Sequence, residues 1–302
     1  MKNELVHTFA GNPLDRAENL RRHPERLAEL QNRADARYLP FAALKVAQTS
    51  ECNLLWLGAE DLPSNLPEPV LLGLQDGVPH YAIALDADTA PDDLDFTDCR
   101  LLAGTLPTPD AGILAQARAQ LDWHQRNPFC ARCGAPSKSE RAGHIRRCTG
   151  CERHIFPRTD PVAIMLVIDQ QGGERCLLGQ SRGRMVRANF YSALAGFVDQ
   201  GESIEDAVRR EVAEEAGIKV GAVHYHSSQP WPFPSQLMIG CHAVALETNI
   251  NFDAEEMNDV SWFHRDDITA ALKGESDTLN VPGALAIAHH LLRTWVEGDI
   301  QL

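Results

Sequence analysis

The sequence predicts an α+β protein of more than one folded unit, built around a mixed β-sheet. Three observations carry that expectation. The chain has 302 residues, whereas folded domains run to about 100–200 residues each. Short continuous apolar runs such as Val162-Ala-Ile-Met-Leu-Val-Ile168 read as buried strands. A helix with both ends marked follows them, opened by Ser203, with Asp206 three positions later, and closed by Gly217.

Bulk composition narrows the class. Hydrophobic residues make up 44% and charged residues 23%, which excludes wholesale disorder. The formal charge of -14 argues against an extended nucleic-acid face, because phosphate binding relies on many Lys and Arg contacts, yet it leaves room for a local basic pocket. No stretch approaches the ~18 consecutive apolar residues of a membrane span, and the start has no basic region followed by an apolar core and cleavage site, so a cytoplasmic protein without a membrane partner is expected.

Along the chain, Leu14, Ala17, Leu20, Leu27 and Leu30 recur near helical spacing, predicting amphipathic helices interrupted around Pro24. Leu54–Leu57, Val70–Leu72 and Tyr81–Leu85 predict strands between Pro, Gly and Asp clusters. Ile113, Leu114, Ala117 and Leu121 predict a connecting helix that ends before Pro128. Val162–Ile168 and Cys176–Leu178 predict a strand pair joined by a Gly172-Gly173 turn; Leu237–Leu246 and Val260–Phe263 predict further strands, and residues 283–295 a last helix after Pro282.

Cys130-x2-Cys133 and Cys148-x2-Cys151 stand 14 residues apart, the spacing at which two knuckles donate four thiolates to one tetrahedral zinc. With every position filled by protein, that zinc is structural, one per chain. The alternative is four free thiols or two disulfides. Cys52, Cys99, Cys176 and Cys241 are scattered and read as buried thiols.

Within Arg210-Glu-Val-Ala-Glu-Glu-Ala-Gly-Ile218, Glu211, Glu214 and Glu215 stand at i, i+3 and i+4, inside an arc of about 100° on one helix face. Repulsion at this spacing costs only about 0.2–0.5 kcal/mol per pair, so an ordinary solvated face explains the run equally well in isolation. Gly196 and Gly201 before it permit a tight loop that brings backbone close to a ligand. Hard oxygen ligands suit Mg2+ or Mn2+, which neutralise phosphate oxygens and acidify a bound water.

Residues 196–218 resemble the Nudix box, Gx5Ex7REUxEExGU with U aliphatic, at every position. The resemblance implies a Nudix α/β/α sandwich. It implies Glu211 and Glu215 as principal metal ligands for more than one ion, Glu214 as further ligand or base, Glu202 as the partner that orients Arg210, and the Ala195 backbone oxygen as a last ligand.

Ten residues after the box, Ser228-Gln-Pro-Trp-Pro-Phe-Pro234 is stiffened by three prolines and carries two rings able to stack on a base. A loop packing those rings into the core is the plain alternative. The run is similar to the SQPWPFPxS signature of NADH pyrophosphatases, a Nudix branch that also carries a four-cysteine zinc ribbon; the chain departs from it at Gln236, where the signature has Ser.

That branch implies substrate contacts at Gln229, Pro230, Trp231, Pro232, Phe233, Pro234, Ser235 and Gln236, ring contacts at Phe156 and Phe197, a late carboxylate at Glu256 in competition with Glu255, and a backbone contact at Ala286. It implies a degenerate Nudix-like domain over 1–107, a connecting helix over 108–127, the zinc ribbon over 128–157 and the catalytic domain over 158–302. The activity implied is hydrolysis of NADH or NAD+ to nicotinamide mononucleotide and AMP, with removal of NAD caps from RNA beside it, by a homodimer. A broader dinucleotide or ADP-sugar diphosphatase and a non-catalytic NAD(H) sensor stand as alternatives.

Overall fold

The computed structural model describes residues 6–62, 67–86, 90–91, 93–170, 173–182 and 189–300. The chain divides into two compact units: Thr8–Thr159 with Pro230–Ser235, and Met1–His7 with Asp160–Gln229 and Gln236–Leu302.

In the first unit, helix α1 (Pro24–Gln31) starts at the proline that was expected to interrupt it. Proline lacks the N–H that a first helical turn leaves unused anyway, so it opens a helix more readily than it sits inside one. Strands β1 (Arg37–Ala42), β2 (Lys45–Gln48), β3 (Val70–Gln75), β4 (Val78–Leu85) and β5 (Asp95–Thr97) form a sheet in the order β3-β4-β1-β2-β5. Leu54–Leu57 makes only isolated bridges, to Gln48 and Tyr38, instead of the expected strand. Its apolar side chains suit a strand, but the partner strands it touches are already paired with each other.

Helices α2 (Cys99–Ala103) and α3 (Thr108–Arg126) follow, the latter close to the expected connecting helix. A small antiparallel sheet of β6 (Ser137–Glu140), β7 (Ile145–Cys148) and β8 (His154–Ile155) completes the unit. The β6–β7 tip docks on β3: Leu71 N–H donates to Ala142 O at 3.0 Å, and His144 Nε2 meets Leu71 O at 2.7 Å. Cys99 is buried as expected, but Cys52 is exposed.

The second unit is built on β9 (Asp160–Ile168) with β10 (Arg175–Ser181) and the short β11 (Leu194–Phe197). Gly172 of the expected connecting turn lies outside the described residues, and Gly173 beyond it adopts φ 68°. Then come helix α4 (Ile204–Ala216), β12 (Val220–Trp231), β13 (Gln236–Ala245), β14 (Met257–His264), and helices α5 (Arg265–Lys273) and α6 (Ile287–Val296). The sheet order is β12-β13-β9-β10-β14, with β11 also on β9; β13 runs parallel to β9, while β10 and β11 run antiparallel to it.

Strand alternation divides β9 between two apolar layers. Ala163, Met165 and Val167 pack with Ala207, Val208, Val212 and Ala216 of α4. Ile164, Leu166 and Ile168 pack on the other face with Ile268 of α5 and Ile287, Leu291 and Trp295 of α6. Each fully buried Val, Leu, Ile or Met among them contributes about 1.5–3 kcal/mol, so this pattern fixes the sheet between two helical layers. Cys176 and Cys241 are buried in them.

The last helix begins four residues later than expected. Ala286 keeps an extended backbone (φ -102°, ψ 140°), and Gln229 holds it there: its Nε2 donates to Leu285 O and its Oε1 accepts from Ile287 N, both at 2.8 Å. No local residue pattern announces that remote cap.

Candidate active site

Helix α4 carries the glutamates because its ends are tightly set. Ser203 Oγ accepts from the Asp206 N–H at 3.2 Å, and Gly217 adopts the left-handed conformation (φ 67°), where a Cβ would also strike Asn251 O. With Val208, Val212 and Ala216 turned into the core, Glu211 and Glu215 flank that face toward β11. The Glu211 carboxylate fills the space that a Cβ on Gly196 would need. Gly196 therefore serves by lacking a side chain inside strand β11, while the turn belongs to Gly201, with φ 91°.

Arg210 ties the box together. Its Nε and Nη2 donate to the two oxygens of Glu202 at 2.7 and 2.9 Å, its Nη1 to Glu211 at 2.7 Å and Glu214 at 2.9 Å, and its Nη2 to Phe197 O at 2.9 Å. The fork geometry of guanidinium suits this many acceptors. These bonds, with the Asp199 amide, hold the Glu202 carboxyl down to about 2.

The other acids are pushed the opposite way. Burial, then the neighbouring charges of Glu211 and Glu256, raises Glu215 to about 8, against a backbone hydrogen bond from Ala195. Burial also raises Glu211, against its bonds to Arg210, with Glu214 and Glu256 adding to the rise. Of the late acidic pair, Glu256 adds to the rise of both carboxyls. Glu215 Oε2 is buried with no hydrogen-bond partner. Mutually repelling carboxylates around an orphaned buried oxygen fit a divalent cation. Among the described residues no three of these carboxylates gather within 4.8 Å, and Arg210 engages two of them.

Phe197 is exposed, on the end of β11. Gln229 is fully buried and its amide spans the Ala286 turn, while Ala286 N–H donates to Gly283 O and its carbonyl accepts from His289 N–H. Gln236, at the first position of β13, is half-buried and pairs in register with Asp160 of β9.

The remaining expected residues lie in the first unit. The proline-rich segment is less of a loop than expected, since β12 runs on to Trp231. Phe9, Trp231 and Phe233 form an edge-to-face trio at 5.5–5.8 Å, and Arg100 and Arg118 lie over Phe233 at 4.2 and 4.4 Å. Arg118 also donates to Pro232 O. Pro232 is buried; Pro230, Trp231, Phe233, Pro234 and Ser235 are half-buried, and Phe156 is exposed.

The four cysteines gather as the spacing predicts, with all four sulfurs within 4.8 Å of one another. Sγ–Sγ distances of 3.8 Å for Cys130–Cys151 and 3.4 Å for Cys133–Cys148 are far beyond the ~2.05 Å of a disulfide. The amides of Cys151 and Gly150 lower the Cys148 thiol to about 6. Four sulfurs gathered at these distances fit a tetrahedral zinc.

Fold, box and cysteine cluster define a Nudix protein, and the chain belongs to the Nudix family. Residues 158–281 match the model of the NUDIX domain, 27–123 that of the NADH pyrophosphatase-like rudimentary NUDIX domain, and 125–156 that of the NADH pyrophosphatase zinc ribbon domain. The chain is 40% identical over 272 residues to the Homo sapiens protein named NAD-capped RNA hydrolase NUDT12, covering 83% of this chain and 58% of that one. It is 38% identical to the NAD-capped RNA hydrolase NudC of Mycobacterium bovis (76% and 75% covered) and 35% identical to Nudix hydrolase 19, chloroplastic, of Arabidopsis thaliana (87% and 72%). The chain spans about 58% of the length of the first curated relatives it matches. No helix among the described residues is long and apolar enough to cross a membrane.

Proposed function

We propose that the protein hydrolyses the diphosphate of NADH or NAD+ to nicotinamide mononucleotide and AMP, and that it removes NAD caps from RNA. The observation that carries the reading is the buried, partnerless oxygen of Glu215 on the box helix, whose carboxyl is raised by burial and then by Glu211 and Glu256. The names of the relatives support the substrate.

In this reading Glu211, Glu214, Glu215, Glu256 and the Ala195 backbone would hold Mg2+ or Mn2+, more than one ion as the family resemblance implies. Bound metal supplies charge neutralisation and a more acidic water. Glu215 or Glu214 takes the proton of a water whose oxygen bonds to one phosphorus, while the bridging P–O bond breaks and its electrons leave with the other phosphate. Arg210, fixed by Glu202, keeps Glu211 and Glu214 in place.

Recognition is assigned to Phe156, Phe197, Pro230, Trp231, Pro232, Phe233, Pro234, Ser235 and Gln236, with Gln229 acting by shaping the backbone at Ala286. The compartment is read as the cytoplasm, on thiols kept for zinc, and the assembly as a homodimer, on the resemblance alone.

The test is product analysis with NADH, NAD+, ADP-ribose, diadenosine diphosphate and an NAD-capped transcript, in Mg2+ and in Mn2+. NADH or capped RNA cleaved well ahead of the rest supports the reading. Comparable rates on all indicate a broad diphosphatase, and binding without turnover indicates a sensor.

A further inference from the structure

The chain is strongly acidic, yet the ionisable residues around one cavity in the first unit are all basic. It has a volume of about 320 Å3, and Arg16, Arg21, Arg158, His144, Gln120 and Trp123 are among the residues around it. No Asp or Glu lines it among the described residues. That volume stands at the lower end of the range of about 300–1,000 Å3 for small-molecule sites.

Two of these cations, Arg16 and Arg21, are poorly compensated. Arg16 has no carboxylate partner among the described residues; burial, then Arg21, holds its guanidinium below the ordinary value. Arg21 has one acid, Glu18, at 2.5 Å from its Nη2, but that carboxylate is shared with Arg22 at 3.0 Å. The Arg21 Nε is buried with no hydrogen-bond partner, and Arg141 and Arg22 repel the group further. His144 adds no charge, since its Nε2 meets Leu71 O at 2.7 Å, its Nδ1 meets the Gln120 amide at 3.1 Å, and burial lowers it to about 4.

A buried donor without a partner, beside a second guanidinium without an acid, destabilises the fold unless something anionic sits there. Planar guanidinium pairs match phosphate oxygens, and the Trp123 ring offers an apolar wall beside them. We propose that this cavity is a phosphate site, taking the phosphomonoester or phosphodiester group of a nucleotide through the guanidinium groups of Arg16 and Arg21. The proposal does not depend on the activity proposed for the box glutamates. The ligand comes either from a free nucleotide or from the 5′ end of an RNA.

The experiment is calorimetric titration of the full-length, zinc-loaded chain, without added Mg2+ or Mn2+, using inorganic phosphate, AMP and a 5′-phosphorylated RNA trinucleotide. The wild type should bind, Arg16→Ala should weaken that binding about tenfold, and Arg16→Ala with Arg21→Gln should abolish it, while zinc content stays at the wild-type level. Arg16→Ala should also melt no lower than the wild type, because it removes a cation that nothing neutralises. Tighter binding of the trinucleotide than of AMP assigns the site to RNA, and equal or weaker binding assigns it to free nucleotide. No binding to the wild type up to about 10 mM, or binding unchanged in both variants, overturns the proposal.

Discussion

The carboxylate of Glu211 lies where a side chain on Gly196 would have to be, so strand β11 and helix α4 meet through an acid seated on bare backbone. A methyl group at Gly196 must therefore displace that acid, from its bond to Arg210 as well. Gly196→Ala is expected to lower kcat on NADH by about a hundredfold while changing the melting temperature little. Activity within twofold of wild type would show that Glu211 works equally well elsewhere.

Glu215→Gln removes one charge with little change of shape, and a neutral amide suits the buried position better than a charge repelled by Glu211 and Glu256. The metal-free variant should melt no lower than the wild type, and Mg2+ should stabilise it less. Turnover should fall by about a hundredfold or more. Undiminished turnover in a kinetic assay would remove Glu215 from the mechanism.

Zinc removal should loosen the first unit. Cys130, Cys133, Cys148 and Cys151 tie the β6–β7 hairpin, whose tip is docked on β3 through Ala142 and His144. Cys148→Ser, or a strong chelator, is expected to release about one zinc per chain and to lower the melting temperature by several degrees. Metal analysis and calorimetry on the same samples check this.

Acid should destabilise the second unit through its histidines. Burial, then His290 and Arg293, lowers His7 to about 4; burial, then His242, lowers His226 to about 4. Both rings are neutral in the fold, and Ser227 Oγ lies 2.7 and 2.5 Å from their nitrogens. The unfolded chain takes up protons from about pH 6.5, the folded one only near pH 4, so stability is full above pH 6.5 and declines between these values. Melting temperatures measured from pH 7.5 to 4.5 should fall, and His226→Gln should flatten the fall.

The two rings of the proline-rich segment should behave differently. Arg100 and Arg118 both lie over the Phe233 ring, so Phe233→Ala should destabilise the protein, on the order of 2 kcal/mol. Trp231→Ala should instead reduce discrimination between NADH and ADP-ribose in competition assays. Unchanged selectivity would leave Trp231 as packing alone.

Wherever the signal was local, sequence and structure agree. Ser203 and Gly217 bound α4 within a residue of expectation, and the two CxxC pairs meet. Where a long-range contact decided the outcome, expectation failed. Leu54–Leu57 has the residues of a strand but only isolated bridges, the last helix waits for Ile287 because Gln229 caps it from β12, and Pro24 opens a helix it was expected to break. Helix α5, absent from the sequence reading, is short and buries Ile268 alone, too little for a periodic pattern.

By itself, the sequence determined which residue types stand at which helical spacing: three acids within one turn, an arginine before them, four thiols in two pairs. Those follow from bonds three and four residues apart, which any reader of the chain can count. Only the tertiary structure decided that Glu211 rests on Gly196, that Glu215 Oε2 is buried and its carboxyl feels the charge of Glu256, and that Gln229 faces inward. Burial and charge coupling depend on which strands become neighbours, and β11, α4 and β14 are brought together by the two-layered core on β9 rather than by anything adjacent in the chain.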